Sequence, residues 1–223
     1  MRVKRTLIFL LLTAALCGTA WDFNGIDSKK VLNYCPAPGR FAVTLAFQFT
    51  ISKAALTPGN NKGTTLYPLV MQAVKPGKKD FSKLMMCFVT KPDNRYFFAA
   101  ATPGGRYNIN WSSSGSEIPT GKPVWVFLSV AAGGIFEARI NSRNYSHVRG
   151  AGLVPLVKSA AKYRIYLGYN PYRKGVGFTR CRIENFMLFE RVLSTEEMEE
   201  IEKSPAAGSN IPGYFKLPAG TPR

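Results

Sequence analysis

Acidic residues are scarce in this chain of 223 residues: 13 Asp and Glu stand against 30 Lys and Arg. Glu196, Glu197, Glu199, Glu200 and Glu202 crowd into one short stretch, so the rest is poorer still in carboxylates. Histidine is rarer, His147 alone, and no C-x-x-C occurs. A structural zinc site draws on such ligands and is excluded. The aspartates are Asp22, Asp27, Asp80 and Asp93, while calcium needs six or more oxygen ligands gathered in one place. Asp27 beside Asn24 is the best pair, and a lone Asp of this kind more often caps a turn. No cofactor is expected; calcium lacks support. Beyond the first twenty residues no apolar run approaches a membrane span, and no repeat of the solenoid or propeller kind is visible.

What is present begins with a basic start, Arg2, Lys4 and Arg5, followed by an apolar run over 7–16 and the small residues Gly18, Thr19 and Ala20. This is the pattern of a secretory signal peptide over 1–20, cut after Ala20. A lipidated Cys17 is disfavoured because Leu16 occupies the place where a small residue is required. Cleavage removes three cations, leaving 27 basic against 13 acidic residues and a mature charge of about +14. Such a field concentrates polyanions at the surface and weakens with salt.

Cys35, Cys87 and Cys181 remain after cleavage. An odd number outside the cell allows one internal bridge at most. Cys35 and Cys181 each precede a strand-like run and are the pair expected to bridge; Cys87 lies inside an apolar run and reads as a small buried hydrophobe.

Short apolar or alternating runs recur at 41–51, 66–74, 84–90, 96–101, 107–111, 124–130, 135–140, 163–168 and 183–189, separated by clusters such as Pro58-Gly59-Asn60 and Pro103-Gly104-Gly105. Many short strands with this punctuation, and no crossover helices, predict an all-β antiparallel sandwich. One helix is expected over 194–203. Ser194 as N-cap and Glu197 three residues on form a capping box, Leu193 can staple onto Met198, and Pro205 ends the element. Met198 and Ile201 give it a narrow apolar edge, suited to a sheet rim. The last stretch, 204–223, is rich in Pro and Gly and is expected to be an extended tail, laid on the domain through Ile211, Tyr214, Phe215 and Leu217.

The stretch RIENFMLFERVLSTEEMEEI at 182–201 resembles the closing strand and terminal helix of the LamG-like, concanavalin A-like lectin/glucanase family through Ile183, Phe186, Leu188, Phe189, Arg191, Leu193, Ser194 and Glu197. Phe23-Asn24-Gly25-Ile26-Asp27 is similar to the family's opening strand and turn. The Trp125 strand at 121–130 and Tyr166-Leu167-Gly168-Tyr169 fall in the family's order. Asn141 sits on the Asn of its hairpin, with Ser142 replacing a turn glycine, so a longer hairpin is expected there. The resemblance covers 21–203 and implies a two-sheet jelly roll with a short C-terminal helix. It also implies binding of glycans or proteins more often than catalysis.

Catalysis has little to work with. Retaining glycoside hydrolysis needs two carboxylates about 5 Å apart, and no E-x-D occurs. Glu184 with Asn185 leaves one acid where relatives often carry two. Asn141 to His147 could serve a lyase, Arg and Asn neutralising a uronate while Tyr or His moves the proton, but reads more simply as a polar hairpin tip. The binding resource is aromatic. Tyr163, Tyr166, Tyr169 and Tyr172 interleave with Lys162, Arg164, Arg173 and Lys174, rings for sugar faces and cations for sulfate or carboxylate. Tyr169, Tyr172, Arg173 and Lys174, in a Gly/Pro loop, are the ligand-binding candidates. The expectation is a secreted, non-catalytic module for an anionic extracellular or cell-surface glycan or a surface protein, with no physiological nucleic-acid partner. The alternatives are a divergent polysaccharide lyase or glycoside hydrolase, and a structural protein of envelope or surface assembly.

Overall fold

The computed structural model describes residues 20–35, 42–51, 66–74, 82–90, 96–100, 111–112, 120–131, 135–141, 143–149, 162–171 and 179–215. Their strands are β1 (Ala20–Asn24), β2 (Lys30–Tyr34), β3 (Ala42–Thr50), β4 (Leu66–Val74), β5 (Ser82–Thr90), β6 (Tyr96–Ala100) and β7 (Trp111–Ser112). Then come β8 (Val124–Ala131), β9 (Ile135–Ile140), β10 (Arg143–Arg149), β11 (Lys162–Leu167), β12 (Arg180–Phe189) and β13 (Tyr214–Phe215), with one α-helix, α1 (Thr195–Lys203), before β13. Sheet A runs β1-β12-β3-β8-β9-β10, with β13 also on β12; sheet B runs β2-β11-β4-β5-β6-β7. Every pairing is antiparallel. This is the two-sheet jelly-roll sandwich with a short C-terminal helix that the sequence predicts.

The sheets face each other over one core. Leu45, Phe47 and Phe49 of β3 and Val126, Leu128 and Val130 of β8 meet Leu69 and Met71 of β4 and Tyr163, Ile165 and Leu167 of β11. A half-buried strand alternates, yet β8 is buried at all eight positions. The reason is α1, which covers the outer face of sheet A. Trp125, Phe127, Ala46, Met187 and Phe189 form a second core there with Leu193, Met198, Ile201 and Ile211. The helix therefore lies over the central strands rather than on a rim. Each large apolar side chain so buried is worth about 1.5–3 kcal/mol.

The helix start follows the sequence closely. Ser194 accepts from the Glu197 amide at 3.3 Å, and Glu197 Oε2 accepts from the Ser194 amide at 2.9 Å. Replacing Ser194 by alanine should cost about 1 kcal/mol, read as a lower urea midpoint with unchanged slope; an unmoved midpoint would show the cap to be dispensable. The chain beyond 204 is not simply extended. Pro205–Asn210 forms a 3-10 turn, and β13 joins β12 through Leu188↔Phe215 and Phe189↔Tyr214. Alternation sends Phe215 to the main core, edge-on to Tyr34, and Tyr214 to the helix side.

Three further expectations are corrected. The expected Cys35–Cys181 bridge is not formed: Cys35 is an exposed free thiol and Cys181 a buried one. Cys35 follows Tyr34, whose hydroxyl donates to Glu190 just past the end of β12 at 3.2 Å, whereas Cys181 lies at that strand's start. About 30 Å of strand separates the two ends, far beyond the roughly 7 Å a bridge tolerates. Cys87 falls in β5, its side chain outside the described set. The hairpin at Asn141 is short rather than long, since Arg143 pairs with Ile140 and Asn141 supplies a positive φ of 45°. The stretch after it is a paired strand, β10, at the margin of sheet A, not a hairpin tip.

Candidate ligand-binding surface

The strand-to-sheet assignment makes the scarcity of acid one-sided. None of the six strands of sheet B contains Asp or Glu, while they carry Lys30, Lys83, Lys162 and Arg164. Asp22, Glu137 and Glu184 all belong to sheet A, and five more acids cluster at α1. Three cations on that side are paired with acids. Arg182 pairs with Glu184 at 2.9 Å and Asp22 at 3.2 Å, Arg139 with Glu199 at 3.6 Å, and Arg191 with Glu197. On sheet B, Lys162 and Arg164 have no ion pair among the described residues.

The outer face of sheet B is built by alternation along β11. Tyr163, Ile165 and Leu167 point into the core, so Lys162, Arg164 and Tyr166 point outward and are half-buried. Register places Arg164 between Asn33 of β2 and Gln72 of β4, and Tyr166 between Val31 and Val70. Asn33 and Val31 are exposed; Gln72 and Val70 are buried. The face is open over β2 and closed at Val70 and Gln72 of β4.

Past Leu167 the chain turns at Gly168, whose φ of +69° lies in the left-handed region. Its amide donates to the Pro68 carbonyl at 2.8 Å, and its own carbonyl accepts from Thr179 at 2.9 Å. The loop carrying the sequence candidates is thus pinned at its neck. Tyr169, at the exit, is half-buried, its ring 6.2 Å from that of Tyr166 and capped by Lys29 Nζ at 4.9 Å from the centroid. Tyr172, Arg173 and Lys174 lie outside the described residues. The structure therefore brings Tyr169 together with Tyr166, Lys29 and Arg164. Tyr166 and Arg164 belong to the interleaved run recognisable in the sequence; Lys29 does not, because only the fold carries the 25–29 turn beside Gly168.

That turn is held by Asn24. Its Oδ1 accepts from the amides of Ile26, Asp27 and Ser28 and from Ser28 Oγ, at 2.8–3.2 Å, and its Nδ2 donates to Asp27 Oδ1 at 2.7 Å. These oxygens are committed to the turn, so the Asn24–Asp27 pair is a cap rather than a cation cage. No group of three His, Cys, Asp or Glu side chains converges among the described residues. Glu184 is bound to Arg182, and Asn185, at φ +50° in a bulge of β12, donates to Gln48 at 2.7 Å. Tyr34, Tyr163 and Cys181 have pKa values pushed up chiefly by burial; all three are core residues. On the opposite sheet a cleft of about 120 Å³ lies between β8, β9 and α1, with Glu137 and Arg139 in its wall. No helix among the described residues is long and apolar enough to cross a membrane.

No protein-family model and no curated protein matches the sequence. Solved structures do match in fold. A native heptameric SAP-like pentraxin from Limulus polyphemus is 13% identical over 82% of this chain and 80% of its own, with a TM-score of 0.57. The receptor-binding domain of botulinum neurotoxin D is 14% identical with a TM-score of 0.57, and this chain spans 43% of it. A Trypanosoma rangeli sialidase in complex with 2,3-difluorosialic acid is 15% identical with a TM-score of 0.52; this chain spans 23% of it. These likenesses are of fold alone, the two-sheet jelly-roll sandwich.

Proposed function

We propose that this protein is a secreted, non-catalytic binding module for anionic extracellular glycans. The observation that carries the reading is the acid-free strand set of sheet B, whose outward Lys162 and Arg164 have no ion pair among the described residues and share a face with Tyr166, itself beside Tyr169. Aromatic faces take sugar rings, and unpaired cations take sulfate or carboxylate without first breaking an ion pair. Tyr169, Tyr172, Arg173 and Lys174 form the contact loop. Export follows from the leader over 1–20, cut after Ala20. The fold's occurrence in a receptor-binding domain and in a sialidase holding a sialic acid derivative is in keeping with a ligand-holding role.

The test is a glycan-array scan of the chain from Trp21 at low and high salt. Affinity for sulfated or uronic glycans should fall about tenfold or more as salt rises, because exposed charges are screened beyond a Debye length of about 10 Å at 0.1 M. Replacing Arg173 and Lys174 together by glutamine should weaken the same glycans. A neutral glycan held equally well at both salts, and indifferent to those changes, would defeat the reading.

A further inference from the structure

Resting on the glycan reading above, we infer that the ligand is a linear polyanion laid lengthwise along β11 and gripped along its chain rather than by its end. Lys162, Arg164 and Tyr166 share one face at two-residue steps, about 7 Å apart in an extended strand. The Tyr169 ring lies 6.2 Å from the Tyr166 ring, at the end where the chain leaves β11. Together they make a track of roughly 20 Å, several sugar rings long. Across the track the space is narrow. Buried Gln72 and Val70 bound it on the β4 side, and on the other only exposed Asn33 and Val31 of edge strand β2 intervene before the sheet ends. One strand spacing is about 5 Å, room for a single extended chain and not for a branched cluster.

The track is also polar. Lys162 and Arg164, without an ion pair among the described residues, stand at one end, and the mutually tilted rings of Tyr166 and Tyr169, with exposed Lys29 over Tyr169, at the other. Asp27, two residues before Lys29, accepts from Asn24 Nδ2. A chain lying there meets cations without rings at the Lys162 end and ring faces with Lys29 beside them at the other, which favours one orientation. Gripping along the length predicts that affinity accumulates with chain length until the track is filled.

Sulfated oligosaccharides prepared from heparin, from disaccharide to octasaccharide, titrated calorimetrically into the chain from Trp21, test this. Affinity should climb about tenfold or more from disaccharide to hexasaccharide and then level off. Arg164→Gln and Tyr169→Ala should each weaken the hexasaccharide about tenfold and leave the disaccharide nearly unchanged. Arg164→Lys, which keeps the charge, should retain binding, and a melting curve identical to wild type qualifies each variant. Blocking the non-reducing end should have no effect. Affinity independent of length, or abolished by the end block, overturns this inference while sparing the glycan reading. No binding at any length in low salt overturns both.

Discussion

Gly168→Ala should destabilise the fold by about 3 kcal/mol and dislodge Tyr169 with it. Two costs combine. An L side chain in the left-handed region costs about 1–2 kcal/mol, and Gly168 has φ +69°. A Cβ there would also overlap the ring of Phe23, which is buried in the main core; overpacking of this kind costs about 1–3 kcal/mol. Gly121 supplies the control, with a similar φ of +74° and no heavy atom within 4 Å of its notional Cβ. Gly121→Ala should therefore lose only the conformational share, near 1 kcal/mol. Denaturant midpoints of the two variants separate the terms, and equal losses would show that Phe23 simply moves aside.

Removing the Arg191 guanidinium should have the next largest effect on stability, about 2 kcal/mol for Arg191→Met. Arg191 grips both oxygens of Glu197, donates from Nε to the Pro212 carbonyl at 2.7 Å, and through its own carbonyl accepts from Thr44 Oγ1 at 2.8 Å. It ties the end of β12 to the helix start and to the chain leading into β13. The ion pair is partly exposed, so screening trims its Coulombic share; the rest comes from the carbonyl and the capping box it holds in place.

Its pH dependence has a definite sign. The hydrogen bond from Arg191 holds the Glu197 carboxyl below its ordinary range. A depressed folded-state pKa contributes stability that is complete above the unfolded value, about 4.3, and lost as pH falls through the lower folded value. The stability gap between wild type and Glu197→Gln should thus be full at neutral pH and shrink below about pH 4. A gap unchanged in that acid range would show that the carboxylate's charge is irrelevant there.

The parts of the fold legible in the sequence are those where one physical signal dominates. The runs that became β3, β4, β8 and β9 are apolar enough to declare themselves, and Ser194 with Glu197 starts the helix in the predicted place. Where Met198 and Ile201 alone suggested a rim, the seat on sheet A depends on Leu193 and Ile211 from flanking segments, which helical periodicity does not count. β2 and β10 escaped notice for opposite reasons. β2 is five residues long with only Leu32 and Tyr34 committed to the core, and β10, RNYSHVR, is polar along nearly its whole length.

The candidate surface was half legible. Alternation separates Tyr163, which faces the core, from Tyr166, which does not. Lys29 over Tyr169 depends on two turns brought together by the jelly-roll topology, more than a hundred positions apart. The acid-free sheet was invisible for the same reason, because total charge does not reveal which strands lie side by side. Cys35 and Cys181 failed as a pair because a place before a strand says nothing about which end of the sandwich that strand begins from.

The late position of β12 has a consequence for the newborn chain. Asp22 and its partner Arg182 are 160 positions apart, and β3 likewise waits for β12 as one of its two neighbours. β13, later still, completes the same side of β12 that β1 begins. Pairings across such distances make closure slow, and the early strands stay exposed until the final fifth of the polypeptide has left the ribosome. A chain that cannot shut early remains threadable, which suits the proposed export.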